Sequence, residues 1–379
     1  MILLLTNSHD VTTDILMPYL TARAEVFRFN IDLWREYTWS IGPDGYTLTD
    51  PTGRTCRERE VGAVYERKVM FDPPTIDIPA GGSPEAWLRE EVFRIWSGIK
   101  DLAYGSGKLA LIHPSPSGNW YKMRQMRAAR KYFPVLPWEM LHGVPTRLRG
   151  ACVAKTNGGQ SLGQNRLFVV KQVEPATLDT SYPWFLQRAG EAKEEVTVAY
   201  IAGRIFASSL SRAELAEADS RPYTFQHGEA WQPCELTPDE HHAVSSLMRE
   251  TGLSFARLDF LRIRGKLHFL ELNPNGQFGW LDLRDERGML TAVVDEIMRV
   301  HDLNLPAPQP ATPPHHRAHL SPADVVKLYQ RYTRRPQNRK RSTAASSLLR
   351  DILHTLTALL AVGLLSFLAV TALLTFFCQ

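Results

Sequence analysis

Apolar residues along the chain follow two rhythms: short runs that suit strands, and spaced positions that suit one face of a helix. The run Ile2–Thr6 predicts a buried strand, residues 11–22 a helix, residues 25–30 and Ala63–Glu66 further strands, and residues 39–48 a hairpin-like insertion. Ser83, followed by Pro84 and Glu85, predicts a helix start, because a hydroxyl cap, a proline in the first turn and an early acid all suit free backbone N–H groups; that helix runs to about Tyr104. Residues 109–112 are a further strand, and the loop at 113–118 leads to Asn119 as the cap of a helix through Tyr132. Beyond it the texture is strand-rich, with strands at 151–155, 167–171, 184–187, 196–202 and 204–210, a helix at Pro238–Thr251, and a hairpin of Phe255–Ile263 with residues 267–272. There is no internal repeat. The expected organisation is a small α/β leading domain at 1–108, a second domain at 109–305, a Pro-rich and basic linker at 306–345, and a C-terminal segment at 346–379.

That last segment has its own pattern. Between residues 352 and 377 His354 is the one ionisable side chain, and residues 356–377 would span about 33 Å as a helix against a hydrocarbon core of about 30 Å. The alternative is a core helix, but such a helix normally keeps a polar face, whereas Leu, Ala, Val, Phe and Thr surround this one on all sides. The basic cluster at 334–341 lies before the span, as expected if everything preceding it is cytoplasmic. It could instead bind nucleic acid or anionic lipid, although orientation is the simpler reading. The expectation is a single-pass, tail-anchored membrane protein with a cytoplasmic catalytic domain.

Charge confirms that the tail is separate in character. The 379 residues carry a formal +4, but residues 331–379 hold a net +6, leaving −2 for the first 330 residues, so the globular part lacks the footprint of a nucleic-acid binder. Cys56, Cys152, Cys234 and Cys378 are widely spaced with no CxxC pair, which suggests neither a disulfide framework nor a thiolate zinc site.

Candidate chemistry concentrates in Leu258-Asp259-Phe260-Leu261 and His268-Phe269-Leu270-Glu271-Leu272-Asn273-Pro274-Asn275-Gly276-Gln277. A three-residue loop Arg264-Gly265-Lys266 would set Asp259 opposite Glu271 on one face of an antiparallel pair, where two carboxylates repel unless a cation lies between them. Asn273, two residues on, adds a neutral oxygen to that face. Such hard oxygen donors suit Mg²⁺ held together with nucleotide phosphates. The alternative is a solvated polar face, and a two-residue turn would put the carboxylates on opposite sides.

Glu271-Leu272-Asn273-Pro274-Asn275-Gly276-Gln277, preceded by Asp259, resembles the metal-binding signature of ATP-grasp ligases, particularly the microviridin-type graspetide synthetases. Asn119, Lys122 and Gln125 resemble the helix that opens these domains. Lys155 followed by Gly158 and Gly159 resembles the second phosphate-binding lysine and its glycine loop. Phe185-Leu186-Gln187 resembles the strand leading to the adenine-binding hinge, and Tyr65-Glu66-Arg67-Lys68 lies where the leading domain of that branch carries aromatic and basic residues. The resemblance covers about residues 1–300.

It implies an α/β (α+β) ATP-grasp fold, with a small leading domain and a two-lobed ATP-grasp domain, to which this chain adds a C-terminal transmembrane helix. It further implies a ligase that joins a carboxylate to an amine or alcohol through an acyl-phosphate, using ATP and Mg²⁺ (or Mn²⁺). Asp259, Glu271 and Asn273 would hold the metal, and Lys122, Lys155, Gly158, Gly159 and Gln187 the nucleotide. The substrate would be a ribosomally made peptide. A lysine at a strand end beside a glycine loop suits phosphate on physical grounds also, the alternative being a solvated surface lysine. Two positions depart from the family. Glu195 stands where an arginine is usual before a Val-Thr-Val strand, and Asp219-Ser220-Arg221 lacks a tryptophan, so Arg221 is a candidate for the displaced positive charge in catalysis. A membrane-tethered binding scaffold with this fold and no turnover is the rival reading.

Overall fold

The structure is a computed structural model of the full chain, and the residues described are 1–67, 71, 83–111, 120–155, 171–179, 181–214 and 230–304. The chain forms two compact units, Met1–Tyr332 and Thr333–Gln379. The second unit, the expected linker and the expected membrane helix all lie outside the described residues. Among the described residues no helix is long and apolar enough to cross a membrane.

The chain opens with strand β1 (Ile2–Thr6), helix α1 (Val11–Thr21) and strand β2 (Val26–Asn30), followed by a small antiparallel sheet of β3 (Thr38–Gly42), β4 (Gly45–Thr49) and β5 (Thr55–Arg57). Strand β6 (Ala63–Glu66), helix α2 (Pro84–Gly105) and strand β7 (Leu109–Ala110) complete a parallel sheet in the order β2-β1-β6-β7. Strand alternation sends Ile2 and Leu4 into a core with α1, and Leu3 and Leu5 into a second core with Val92, Trp96 and Ile99 of α2. As expected, the Ser83 hydroxyl accepts from the Ala86 N–H and caps α2.

Helix α3 (Lys122–Ala129) begins at Lys122 with Tyr121 as its cap. The expected cap, Asn119, lies outside the described residues. Strands β8 (Trp138–Leu141), β9 (Cys152–Lys155), β10 (Lys171–Val173) and β11 (Trp184–Arg188) form an antiparallel sheet in the order β10-β9-β11-β8. Next come β12 (Glu194–Ile201), β13 (Arg204–Ser211), β14 (Gln232–Pro233), helix α4 (Pro238–Thr251), β15 (Phe255–Ile263) and β16 (Lys266–Asn273), whose strands make a sheet in the order β14-β13-β12-β15-β16. Thr237 and Glu240 form a reciprocal capping box at the start of α4, and Gly252 (φ 69°) ends it in the left-handed conformation that glycine adopts without strain.

The five-stranded sheet is asymmetric in a way that creates the site. One face carries Val196, Val198, Leu258, Phe260 and Phe269 into a core with α3 and α4. On the other face Ala199, Ile201 and Phe255 join the core of β1, α1 and helix α5 (Met289–Leu303). Two residues further along the same strands, that second face becomes polar at Thr197, Arg257 and Asp259. Helix α5 and strand β8 go beyond the sequence reading, although Leu290, Val293, Val294 and Ile297 have helical spacing and are all buried.

The β15–β16 hairpin corrects one expectation and keeps its consequence. Ile263 pairs with Lys266, so the turn has two residues, Arg264 (φ 51°) and Gly265 (φ 77°), both in the positive-φ region of a tight hairpin turn. By itself this turn would place Glu271 on the face away from Asp259. Phe260 pairs with Phe269, however, and Asp259 with Glu271, so Leu270 is an extra residue, a β-bulge that shifts the register by one. The carboxylates therefore face each other because of the bulge, not because of the loop.

Phe260 is fully buried, with ring centroids 4.9 Å from Phe133 and 5.8 Å from Phe269. Phe260→Ala should therefore destabilise the protein by about 3–5 kcal/mol, read as a lowered midpoint in urea denaturation; a loss below about 1 kcal/mol would mean that this ring is not central to the core.

Candidate active site

Strand register places Asp259 beside Thr197 on one side and Glu271 on the other. The Thr197 hydroxyl donates to Asp259 Oδ1 at 2.7 Å, and Arg257 Nη2 donates to Oδ2 at 2.9 Å. Arg257 lies two residues before Asp259, on the same sheet face. On the neighbouring strand, Lys122 Nζ donates to Glu271 Oε2 at 3.0 Å from the first position of α3. Gln125, almost one turn on, accepts from the backbone N–H of Leu272 at 3.0 Å and donates to the Trp120 carbonyl, so the helix that carries Lys122 is fastened to the strand that carries Glu271. Asn273 Oδ1 accepts from the Asn275 N–H at 3.2 Å.

Lys155 ends β9 and donates to Gln187 Oε1 on β11 at 3.2 Å. Gln187 is buried, and its amide nitrogen has no hydrogen-bond partner among the described residues. A buried donor without a partner costs free energy, so this amide is a natural contact for a ligand acceptor.

The electrostatics tie these groups together. Burial opposes ionisation of Glu271, but Lys122 and Lys155 overcome it, with the Lys122 hydrogen bond and Arg257 adding to the effect, and its carboxyl is held down at about 2. Burial pulls the Lys155 ammonium below its ordinary value and Lys122 adds to that, while Glu271, Asp259 and Glu195 partly offset them. Two carboxylates thus coexist because this chain supplies their cations, Lys122 to Glu271 and Arg257 to Asp259. The cation expected beside facing carboxylates is thus present as side chains of the chain itself. Among the described residues no group of three His, Cys, Asp or Glu side chains is gathered as a metal cage. Glu195 is ion-paired with Arg212, so its charge is compensated locally.

Of the residues singled out from sequence, the structure brings together Lys122, Asp259, Glu271 and Asn273, and separately pairs Lys155 with Gln187. Gly158, Gly159 and Arg221 lie outside the described residues. Sequence reasoning missed Thr197 and Arg257. The first is a lone polar residue in the apolar run Val196-Thr197-Val198; the second shares the face of Asp259 by the period of two.

No protein-family model matches the sequence, and no curated protein matches it. Solved structures do. A RiPP-associated ATP-grasp ligase of Chryseobacterium gregarium, in complex with ADP and a leader and core peptide, superposes with a TM-score of 0.62 at 19% identity, covering 79% of this chain and 96% of that one. The macrocyclase MdnC of Microcystis aeruginosa, bound with precursor peptide MdnA, gives 0.63 at 18% identity, covering 79% and 99%. The ATP-grasp ligase PsnB, complexed with minimal precursor, Mg and ADP, gives 0.58 at 18%, covering 79% and 97%. The chain has the ATP-grasp fold. Within that fold, the polar end of the five-stranded sheet sets Lys122 and Arg257 against Glu271 and Asp259, and the antiparallel four-stranded sheet carries the hydrogen-bonded Lys155–Gln187 pair.

The depressed carboxyl of Glu271 has a pH signature. Its folded value lies below the ordinary 4.5, so its contribution to stability is complete above that value and is lost as pH falls from about 4.5 towards 2. Thermal melts of Glu271→Gln between pH 7 and pH 2 should therefore show a shallower loss across that window than the unaltered protein. Identical slopes would show that Lys122 and Lys155 do not hold this carboxylate.

Proposed function

We propose that the chain is an ATP- and Mg²⁺-dependent ligase that joins a carboxylate to an amine or hydroxyl, acting on a ribosomally made peptide. The observation that carries this reading is the set of oxygen donors from Asp259, Glu271 and Asn273 at the polar end of one sheet, with Lys122 bound to it, in a chain with the ATP-grasp fold. Support for the substrate class comes from the solved structures of similar fold, whose ligases are complexed with precursor, leader or core peptides.

The residues fit the groups that the reading requires. Two carboxylates and an amide oxygen suit a hard cation that takes its remaining ligands from phosphate and water. Glu271 is ionised across the physiological range, so the site needs no proton release before a cation enters. Lys122 and Lys155 are point charges suited to phosphate oxygens, and Gln187, beside Lys155, offers an amide donor with no partner among the described residues. When bound, ATP would supply a phosphoryl group that activates the substrate carboxylate as an acyl-phosphate, which the amine or hydroxyl then attacks with release of phosphate. The residues' share is positioning and charge neutralisation, and no nucleophilic side chain is needed. Arg257 holds Asp259 in place, and Arg212 neutralises Glu195.

The domain plan belongs to the same proposal: a leading domain at 1–108, an ATP-grasp domain at 109–305, a linker at 306–345 and a membrane anchor at 346–379, with the catalytic part in the cytoplasm and Arg221 near the substrate. The apolar, unpatterned residues 356–377 support the anchor. A tether of this kind would raise encounter with a membrane-associated peptide without altering the chemistry.

Glu271→Gln should leave the fold intact and abolish Mg²⁺-dependent turnover with candidate peptides; full activity in the folded variant would eliminate the metal assignment. If unaltered protein binds nucleotide but no acceptor supports turnover, the scaffold reading takes its place. Lys155→Ala should raise the dissociation constant of a nonhydrolysable ATP analogue about tenfold or more, equivalent to about 1.4 kcal/mol, as a charge-assisted contact is lost. Calorimetric titration measures it, and an unchanged constant would mean that Lys155 makes no contact with the nucleotide. For the anchor, cell fractionation should place the full chain with membranes, and truncation after Arg341 should release it with nucleotide binding retained. A full chain that stays soluble without detergent would overturn the tether.

A further inference from the structure

Arg67, which immediately follows β6, is 1% exposed and among the largest fully buried side chains. Its Nη1 donates to Asn275 Oδ1 at 2.9 Å and to the Gly276 carbonyl at 3.0 Å, and its Nη2 donates to Gln277 Oε1 at 2.8 Å. Its Nε lies 3.5 Å from Oδ2 of the buried Asp10, and its guanidinium sits 5.5 Å from the Phe278 ring centroid. Thr12 of α1 also donates to Gln277 Oε1, at 2.5 Å. The leading sheet thus reaches across more than two hundred residues of sequence to grip the three residues that follow Asn273-Pro274.

A buried ion pair is weak evidence for stability, since well-packed apolar residues in its place are often neutral or better for the fold. Its effect here is directional. The gripped loop supplies the Asn275 N–H that holds Asn273 Oδ1, and the Gln277 carbonyl that accepts from Arg257 Nη1 at 3.3 Å, while Arg257 in turn holds Asp259. Gly276 is pressed so closely against this arginine that a Cβ there would stand 2.5 Å from the Arg257 Cβ. The loop therefore reaches two of the three oxygen donors, Asn273 directly through the Asn275 N–H and Asp259 at one remove through Arg257.

We propose that Arg67 is a positioning residue for the cation site, fixing Asn273 and Asp259 through the loop 275–277. This rests on the reading that Asp259, Glu271 and Asn273 hold the metal. Two variants separate positioning from mere stapling of the fold: Arg67→Lys keeps a buried charge beside Asp10 but cannot bridge three acceptors, and Asn275→Ala removes one acceptor from a half-buried position.

Mn²⁺ binding is followed by electron paramagnetic resonance in full-length protein saturated with a nonhydrolysable ATP analogue, together with analogue affinity in the absence of metal and the thermal midpoint. Both variants should bind Mn²⁺ about tenfold or more weakly, the usual consequence of losing an outer partner of a metal ligand, while metal-free nucleotide affinity and cooperative melting are kept. Wild-type Mn²⁺ affinity in the folded variants would overturn the proposal; if Arg67→Lys does not fold, Asn275→Ala decides alone. If Glu271→Gln binds Mn²⁺ as tightly as the unaltered protein, the site reading itself fails, and this inference falls with it.

Discussion

One extra residue in a β-ladder governs the candidate site. Side chains alternate faces with a period of two, so a one-residue slip sends every later side chain to the opposite side of the sheet. The two-residue turn at Arg264-Gly265 sets a register in which Glu271 would point into the core shared with α3 and α4, where an ionised carboxylate could find no water. The bulge at Leu270 reverses this and turns Glu271 towards Asp259 and Lys122. Phe269, before the bulge, and Leu272, after Glu271, both remain in the apolar core. The bulge thus changes which face the ligand-type residues occupy without sacrificing the packing of the strand.

Once two carboxylates face each other, charge compensation becomes the next requirement. The structure meets it with residues from different elements: Arg257 from the same strand as Asp259, Lys122 from α3, and Lys155 acting from the four-stranded sheet. Thr197 and Gln125 are neutral, but each has a definite task, the first on Asp259 and the second on the backbone of β16. Cations drawn from several elements make the charge of the site a property of the assembled fold, not of any one segment.

The leading parallel sheet is part of this assembly rather than an appendage. Its first core is continuous with α5 and with Ala199, Ile201 and Phe255 of the five-stranded sheet. That face therefore changes from hydrophobic packing to polar chemistry within two residues along β12 and β15, and rigid packing on one side fixes polar geometry on the other. Arg67 adds a directional, hydrogen-bonded link where apolar contacts would be non-directional.

Sequence alone determined which segments could be strands and helices where periodicity or capping was clear, as at Ile2–Thr6, at Ser83 before α2 and over Pro238–Thr251. It also marked Asp259, Glu271, Asn273, Lys122 and Lys155 as residues of one chemistry, through a motif that resembles the ATP-grasp ligases, and the chain has the fold that this resemblance implied. It did not determine the register of the hairpin, because a bulge has no signature in residue type when Leu270 lies among other apolar residues. Nor did it show that Arg257 and Thr197 share the site, since their roles depend on which face of β12 and β15 turns towards Glu271. The tertiary structure decided both, and it decided the place of Arg67, whose partners lie at positions 10 and 275–277. Contacts of that range are set by how sheets pack against one another, and packing is a property of the whole chain that no local pattern encodes.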